Sequence, residues 1–310
     1  MAATSSIPAP ELARLRPLLG EMNDLKRIRV AGHRGSLAGR GFARAWRALV
    51  AGDAPGRVAA REAAFAVAST RLGGVDAEVL AAAGLSPGAI RGVLADSIDA
   101  VADFLSPASL DPIREALADL AGDAPEASGE LPPFAARLAA QPRAGATRPG
   151  HPRLILEPPE DHAEHCYLTA VYGVLLAYPT GADPATTFLA GLAHHLHNAY
   201  LPDSGFAGEE LLGDHLGPIM ARFTAEALGQ IPTRLAGEVE AASKILAHAD
   251  SVEARAFHAA DVLDRVLQME QYARVAGFEL KQALDDLDLV HPGPLQAFHN
   301  EVLAAAGLLP

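Results

Sequence analysis

The chain has 310 residues, of which 50% are hydrophobic, 20% charged and 5% aromatic. That is about two domain-lengths at ~150 residues each, and enough apolar material to exclude wholesale disorder. The single cysteine, Cys166, excludes a disulfide framework or a Cys-rich zinc module, and the net charge of −13 argues against general nucleic-acid binding.

The opening MAATSSIPAP has no basic stretch followed by an apolar one, so no signal peptide is predicted. The longest apolar runs, such as VYGVLLAY at 171–178, fall far short of the ~20 residues that a membrane span needs. A soluble, cytoplasmic protein with no membrane partner is the expectation. Charge is spread unevenly. Residues 1–60 hold ten Lys/Arg against four Asp/Glu, whereas 151–310 hold eight against twenty-two. Such asymmetry predicts two faces turned toward each other or toward different partners.

Helical spacing of apolar residues predicts a helix over 11–28. A second, 37–50, follows a glycine-rich turn, and an Ala-rich third covers 55–72 up to Gly73-Gly74. Ser86-Pro87 and Asp111-Pro112 each pair a capping side chain with a proline at the first helical position, opening helices over 87–105 and 112–121. No stretch alternates at period two for long, so no strands are expected. Residues 122–160 hold eight of the 23 prolines and read as an irregular linker with one short helix near 134–140. Helices resume over 160–178, from Asp183-Pro184 to 199, after Pro218, from Pro232 to 249, and from a capping-box-like start at Asp250–Glu253 through 275. The predicted class is all-α, with an N-terminal helical domain (1–121), a Pro-rich linker (122–160) and a C-terminal helical bundle (161–310).

Histidine carries the chemical signal. Eight of the twelve lie between His162 and His258: these two, His165, His194, His195, His197, His215 and His248. Neutral imidazole is the commonest metal ligand, carboxylates complete such sites, and bundles gather ligands from facing helices. Asp261, one turn after His258, offers a carboxylate. A donor set of nitrogen and oxygen without thiolate favours a divalent transition metal (Fe, Mn, Zn, Co or Ni), as one ion or two, over a structural zinc.

The order HCYLTA (165–170), GLAHHLHN (191–198) and ADVLDR (260–265) resembles the HD-domain superfamily of metal-dependent phosphohydrolases. HHLHNAYLPD (194–203), HLGP (215–218) and KILAH (244–248) are similar to segments of its HD-GYP branch. The resemblance covers about residues 160–275. It implies an HD-like C-terminal bundle in which His165, His194 and Asp261 hold a metal. A dinuclear version would add His215 and His248, with residue 195 as the bridge. The family's His-Asp pair is His194-His195 in this chain, its Gly-Lys is His197-Asn198, and the GYP signature is absent. An imidazole brings one lone pair and no charge where a bridging carboxylate brings two oxygens and a negative charge.

The resemblance implies a metal-dependent phosphohydrolase acting on a phosphorylated small molecule through activated water. An HD-fold di-iron oxygenase of a small hydroxylated substrate and an inactive sensor or scaffold are the alternatives, and a homo-oligomer is compatible with each. Glu164, Asp161 and Asp203 are candidate proton-transfer carboxylates. Glu209 or Glu210 is a candidate for the lost bridging carboxylate. Arg222 and Lys244 are candidates to meet developing charge. His162, His197 and His258 read as residues that orient ligands or lie on the surface. GHRGSLAGRG (32–41) lacks P-loop spacing and reads as a basic turn, and Cys166 reads as a buried thiol.

Overall fold

The computed structural model describes residues 7–120, 129–150, 153–277 and 279–309. These residues form α1 (Ala9–Asn23), α2 (Leu37–Ala51), α3 (Pro55–Leu72), α4 (Ala77–Ala82), α5 (Pro87–Asp99), α6 (Pro107–Leu120) and α7 (Pro133–Leu138). There follow α8 (His162–Thr180), α9 (Pro184–Ala193), α10 (Gly205–Leu212), α11 (Leu216–Leu228), α12 (Thr233–Ser243), α13 (Val252–Ala276) and α14 (Gln296–Ala305). Among the described residues there is no strand, only the isolated bridges Pro142–Asp161 and Ala146–Leu154, so the class is all-α as expected. No described helix is long and apolar enough to cross a membrane. The predicted boundary at 121/122 and part of the linker fall outside the described residues.

Helix α8 is the axle. Every residue from His162 to Ala177 is buried, the condition of a helix covered on all sides. It packs against α9 and α13 from the C-terminal part and against α2 and α3 from the N-terminal part. The buried apolar residues of both parts form one continuous cluster. Trp46 meets Phe134 edge to face at 4.9 Å, and the Tyr172 hydroxyl donates to the Leu19 carbonyl at 2.6 Å. The opposite charges of the two parts meet across this contact. Arg16 pairs with Glu270, Lys26 with Glu160 and Asp264, and Arg29 with Glu164.

Local chemistry sets the element ends. Asp161 and Glu164 form a capping box at the start of α8, each accepting from the other's backbone N–H. Asp183 accepts from the N–H groups of Ala185 and Thr186 ahead of α9, and Ser251 accepts from Ala254 ahead of α13. Two prolines act differently from expectation. Pro179 does not stop α8, which runs to Thr180 and closes at Gly181 in the left-handed conformation (φ 71°). Pro179 has no N–H for the Leu175 carbonyl four residues back. The Ser109 hydroxyl donates to that carbonyl instead, at 3.4 Å. Pro112 lies inside α6, which begins at Pro107. The carbonyl it leaves free belongs to Ala108, an exposed residue in the first turn where water can serve it. Four helices predicted as continuous instead break into a 3-10 turn, at Asp24–Lys26, Ala102–Phe104, Leu196–Ala199 and Lys244–Leu246.

A close backbone approach between α8 and α9 decides the geometry of the functional region. A Cβ on Gly191 would lie 2.4 Å from the Ala170 Cα, so only glycine lets α9 cross α8 at this depth. His194 follows one turn later and His165 lies one turn earlier on α8. Gly191→Ala is expected to destabilise the fold by about 1–3 kcal/mol, the usual range for overpacking, read from urea unfolding midpoints at unchanged m. An unchanged midpoint would show that α9 sits elsewhere.

Candidate metal centre

Two helices and one helix end bring three donor atoms together. His165 projects from the first turn of α8, His194 caps the C-terminus of α9, and Asp261 lies on α13. His165 Nε2 is 3.1 Å from His194 Nε2 and 3.2 Å from Asp261 Oδ1, and His194 Nε2 is 3.8 Å from the same oxygen. Ligands about 2.1 Å from one cation are separated by about 3.0 Å at octahedral angles and about 3.4 Å at tetrahedral ones. Two sides of the observed triangle have those dimensions, and the third, His194 to Asp261, is longer at 3.8 Å.

Tautomers are set from behind. His165 Nδ1–H donates to Asp264 Oδ2 at 2.6 Å, and His194 Nδ1–H donates to the Gly191 carbonyl at 2.7 Å. Each ring therefore turns its Nε2 lone pair toward the other and toward Asp261, as second-shell acceptors do for metal-ligating histidines. Burial, reinforced by His165, pulls His194 down to about 3, so it stays neutral. Burial alone would raise Asp261, but the neighbouring His165 and Arg265 hold it well below the usual carboxylate range. Facing lone pairs and a carboxylate repel unless a positive charge lies between them. A proton shared between His165 and Asp261 or a metal cation meets that need.

The His165 ring is anchored by a buried charge network. Lys26 Nζ is 2.8 Å from Asp264 Oδ2 and also bonds Glu160, with Lys26 and Asp264 both shut from solvent. Burial by itself would lower Lys26, but Asp264 and Glu160 outweigh it and hold the ammonium above its ordinary value. Glu160, His165 and Asp264 are spaced to take a cation of their own. The Lys26 ammonium already supplies it.

His195 sits beside the triangle, its ring centroid 4.3 Å from that of His194. Its Nδ1–H donates to Asn198 Oδ1 at 2.9 Å, and its Nε2 accepts from Arg143 Nη1 at 3.1 Å. The lone pair that would reach a metal is held by a guanidinium. His215 and His248 are not gathered, since both rings are exposed and neither lines the cavity. Glu164 also stays outside, one oxygen accepting from the Asp161 N–H and the other 3.4 Å from Arg29. Burial pushes its carboxyl and that of Asp161 upward. Asp203 does line the cavity, but its oxygens accept from the N–H groups of Ala144 and Gly205, both at 2.9 Å. Burial would raise it, yet His162 and Arg143 keep it ionised and well below the usual range.

The triangle opens on a cavity of about 790 Å³, lined by His194, His195 and Asp261. Arg143 and Arg265 flank it, Arg265 Nη1 lying 3.8 Å from Asp261 Oδ2. Arg222 and Lys244 do not line it, and neither does Glu210, whereas Glu209 does. Arg34 is exposed and Arg40 faces Asp76, as a basic turn requires. Cys166 is fully buried, and burial pushes its thiol upward, so it is no nucleophile. Lys26, Arg143, Glu160, Asp264 and Arg265 are the residues that sequence reasoning missed. Only Asp264 and Arg265 carried a signal, at one helical turn from Asp261 on the same face.

No family model matches the chain, nor does any curated protein or any solved structure.

Lys26→Met is expected to destabilise the fold by about 3–5 kcal/mol, because the buried Asp264 carboxylate loses its counter-charge. The wild-type contribution has a defined pH window. A lysine held above its ordinary 10.5 stabilises fully below that pH and loses its contribution as the pH rises through the folded value. Urea unfolding of both proteins at neutral and strongly alkaline pH checks this, and the gap between them should narrow at high pH.

Proposed function

We propose that the chain is a metal-dependent hydrolase of a phosphate ester, related in mode of action to the HD-domain phosphohydrolases that its histidine order resembles. The observation that carries this reading is the convergence of the His165 and His194 lone pairs with Asp261 Oδ1 at 3.1–3.8 Å on the floor of a cavity that also holds two guanidinium groups. Three protein ligands with open positions are the pattern of a catalytic site, not a structural one.

A cation held there would lower the pKa of a coordinated water toward neutrality and polarise a phosphoryl oxygen. The chain's own groups do the rest. Asp264 and the Gly191 carbonyl accept from Nδ1–H of the two imidazoles and so orient each Nε2 toward Asp261. Arg143 is braced by His195 and by Glu160 at 3.7 Å, and it presents a fixed positive charge beside the triad. Burial would lower its pKa, but Glu160, Asp203 and Asp261 more than offset this, so it stays charged. A preorganised guanidinium favours the extra negative charge of a phosphoryl transition state. Glu209, at the cavity wall, is placed to exchange protons with the entering water or the leaving group. With His195 committed to Arg143 and with His215 and His248 outside, the reading calls for a single ion.

Two histidines and one carboxylate with open positions are also the ligand pattern of non-haem iron oxygenases, which gives a second reading on the same residues. Elemental analysis of the full chain, purified without chelators, separates the two. About one equivalent of Mn, Zn or Co with turnover of a phosphomonoester supports the hydrolase. Iron with oxygen consumption supports the second reading. His194→Ala should lose the metal, whereas His215→Ala and His248→Ala should retain it. Near-zero metal, and no gain in melting temperature on adding Mn, Fe or Zn, would overturn both.

A further inference from the structure

Beyond the metal triangle the same cavity contains three more imidazoles. His258 lies one turn before Asp261 on α13. His299 comes from α14, its ring centroid 6.0 Å from that of His258. His291 precedes α14 and stacks on Phe206 at 4.3 Å with an interplanar angle of 14°, which holds its ring plane. All three line the cavity, and His258 and His299 are only 5% and 8% exposed. His258 Nε2, His299 Nε2 and His291 Nδ1 are each buried with no hydrogen bond. Buried polar atoms are nearly always paired, so orphaned ring nitrogens around one cavity mark a place where the polar groups of a ligand belong.

What the missing partner must be follows from which nitrogen of each ring bears the proton. The other nitrogen of His258 faces the Ile245 and His248 carbonyls, and the other nitrogen of His291 faces the Asp288 carbonyl. A carbonyl only accepts, so in both rings the N–H points at backbone and the lone pair is the orphan. Burial keeps the rings neutral, lowering His258 and pulling His291 and His299 down to about 4. His299 Nε2 meets a ligand as donor or acceptor, according to its tautomer. Glu209 adds lone pairs to the same cavity wall. Arg265 is the charged donor nearby, with Nη2 on the Leu289 carbonyl and Nη1 3.8 Å from Asp261 Oδ2. An anionic group would set lone pairs against those of His258, His291 and Glu209. An ammonium would donate to them but would share the cavity with the Arg265 guanidinium. A hydroxyl donates to a ring nitrogen without bringing charge, and its oxygen still accepts from an N–H.

We infer that His258, His291 and His299 form a binding subsite for the hydroxyl groups of a neutral polyol, separate from the metal triangle. As a statement about substrate this rests on the hydrolase reading, and it means that the alcohol part of the phosphate ester carries further free hydroxyls. As a binding site it requires no metal.

Isothermal titration of the full chain with sorbitol, in the presence of a chelator, tests it. Saturable binding is expected. Hexane-1,6-diol, the same carbon chain without the inner hydroxyls, should bind about tenfold more weakly or worse, because it leaves buried acceptors unpaired. His258→Phe and His291→Phe keep a ring in place and remove the lone pair. Each should shrink the preference for sorbitol about two- to tenfold, the worth of one neutral hydrogen bond. His248→Ala, at an exposed ring outside the cavity, should leave it unchanged. Should His258→Phe not fold, as judged by its melting curve, His291→Phe, which preserves the stack on Phe206, and His299→Phe carry the same test. The inference is overturned by absence of saturable binding, which would leave only water at the cluster, or by a preference indifferent to these substitutions. Tighter binding of hexane-1,6-diamine than of sorbitol would overturn it too, by placing a cation there. Sorbitol binding without any metal in the purified protein would sink the hydrolase reading and leave the subsite standing. Metal with equal turnover of hexyl phosphate and sorbitol 6-phosphate, and no sorbitol binding under chelation, would do the reverse.

Discussion

The arrangement around His165 depends on a lysine ammonium held in the interior. Lys26 enters from the 3-10 turn after α1, bonds Asp264 on α13 and Glu160 just ahead of α8, and is 2% exposed. Taking an ammonium and two carboxylates out of water costs several kcal/mol per ion, and only close pairing with further hydrogen bonds offsets it. Those bonds are present. Asp264 also accepts from His165 Nδ1 and from the Asn23 amide at 3.4 Å. The network spans three elements distant in sequence, so it fixes their relative position and, through Asp264, which nitrogen of His165 bears the proton. Packing of apolar surface is non-directional and would not specify that tautomer.

The charge imbalance of the chain has a structural counterpart. The basic segment 1–60 does not stand apart as a surface for an acidic partner. Arg16, Lys26 and Arg29 spend part of their charge on Glu270, Glu160, Asp264 and Glu164 of the acidic stretch. The exposed pairs contribute little individually, since surface ion pairs give about 0–1 kcal/mol. The buried pair determines orientation. Together they give the N-terminal helices a role in the candidate site although none of their residues is placed as a ligand.

Much of the architecture was legible because it is encoded locally. Asp183 and the Asp250–Glu253 segment announce helix starts by chemistry contained within four residues, and α3 runs over the predicted 55–72. Errors arose where a distant group satisfied what a local rule declared broken. Ser109 serves the carbonyl that Pro179 abandons, so α8 outlasts its proline. The break after Ala193 was likewise invisible, because the His194 ring takes the Gly191 carbonyl that a continuing helix would have used. For the site, the predicted set was His165, His194, His195, His215, His248 and Asp261, of which His165, His194, His195 and Asp261 lie together. Spacing could not distinguish these from His215 and His248, whose rings face solvent. Arg143 and Lys26 were missed because each is a lone cation in a loop or turn, made significant only by what folds against it.

Cation positions in this part of the molecule are settled by the chain's own side chains as much as by any ion. The Glu160, His165 and Asp264 group has donor atoms close enough for a metal, and Lys26 Nζ lies among them. The His165, His194 and His195 group has the same property, and Arg143 engages the third ring. Each guest is a fixed positive charge that does not exchange with solvent ions, and each repels a divalent cation brought alongside. What remains uncommitted is the space between His165 Nε2, His194 Nε2 and Asp261 Oδ1. An ion there would carry a coordination sphere bounded by guanidinium groups in place of a second metal. The His195 imidazole is a neutral acceptor that positions Arg143, so the positive charge beside this space is supplied by the protein itself.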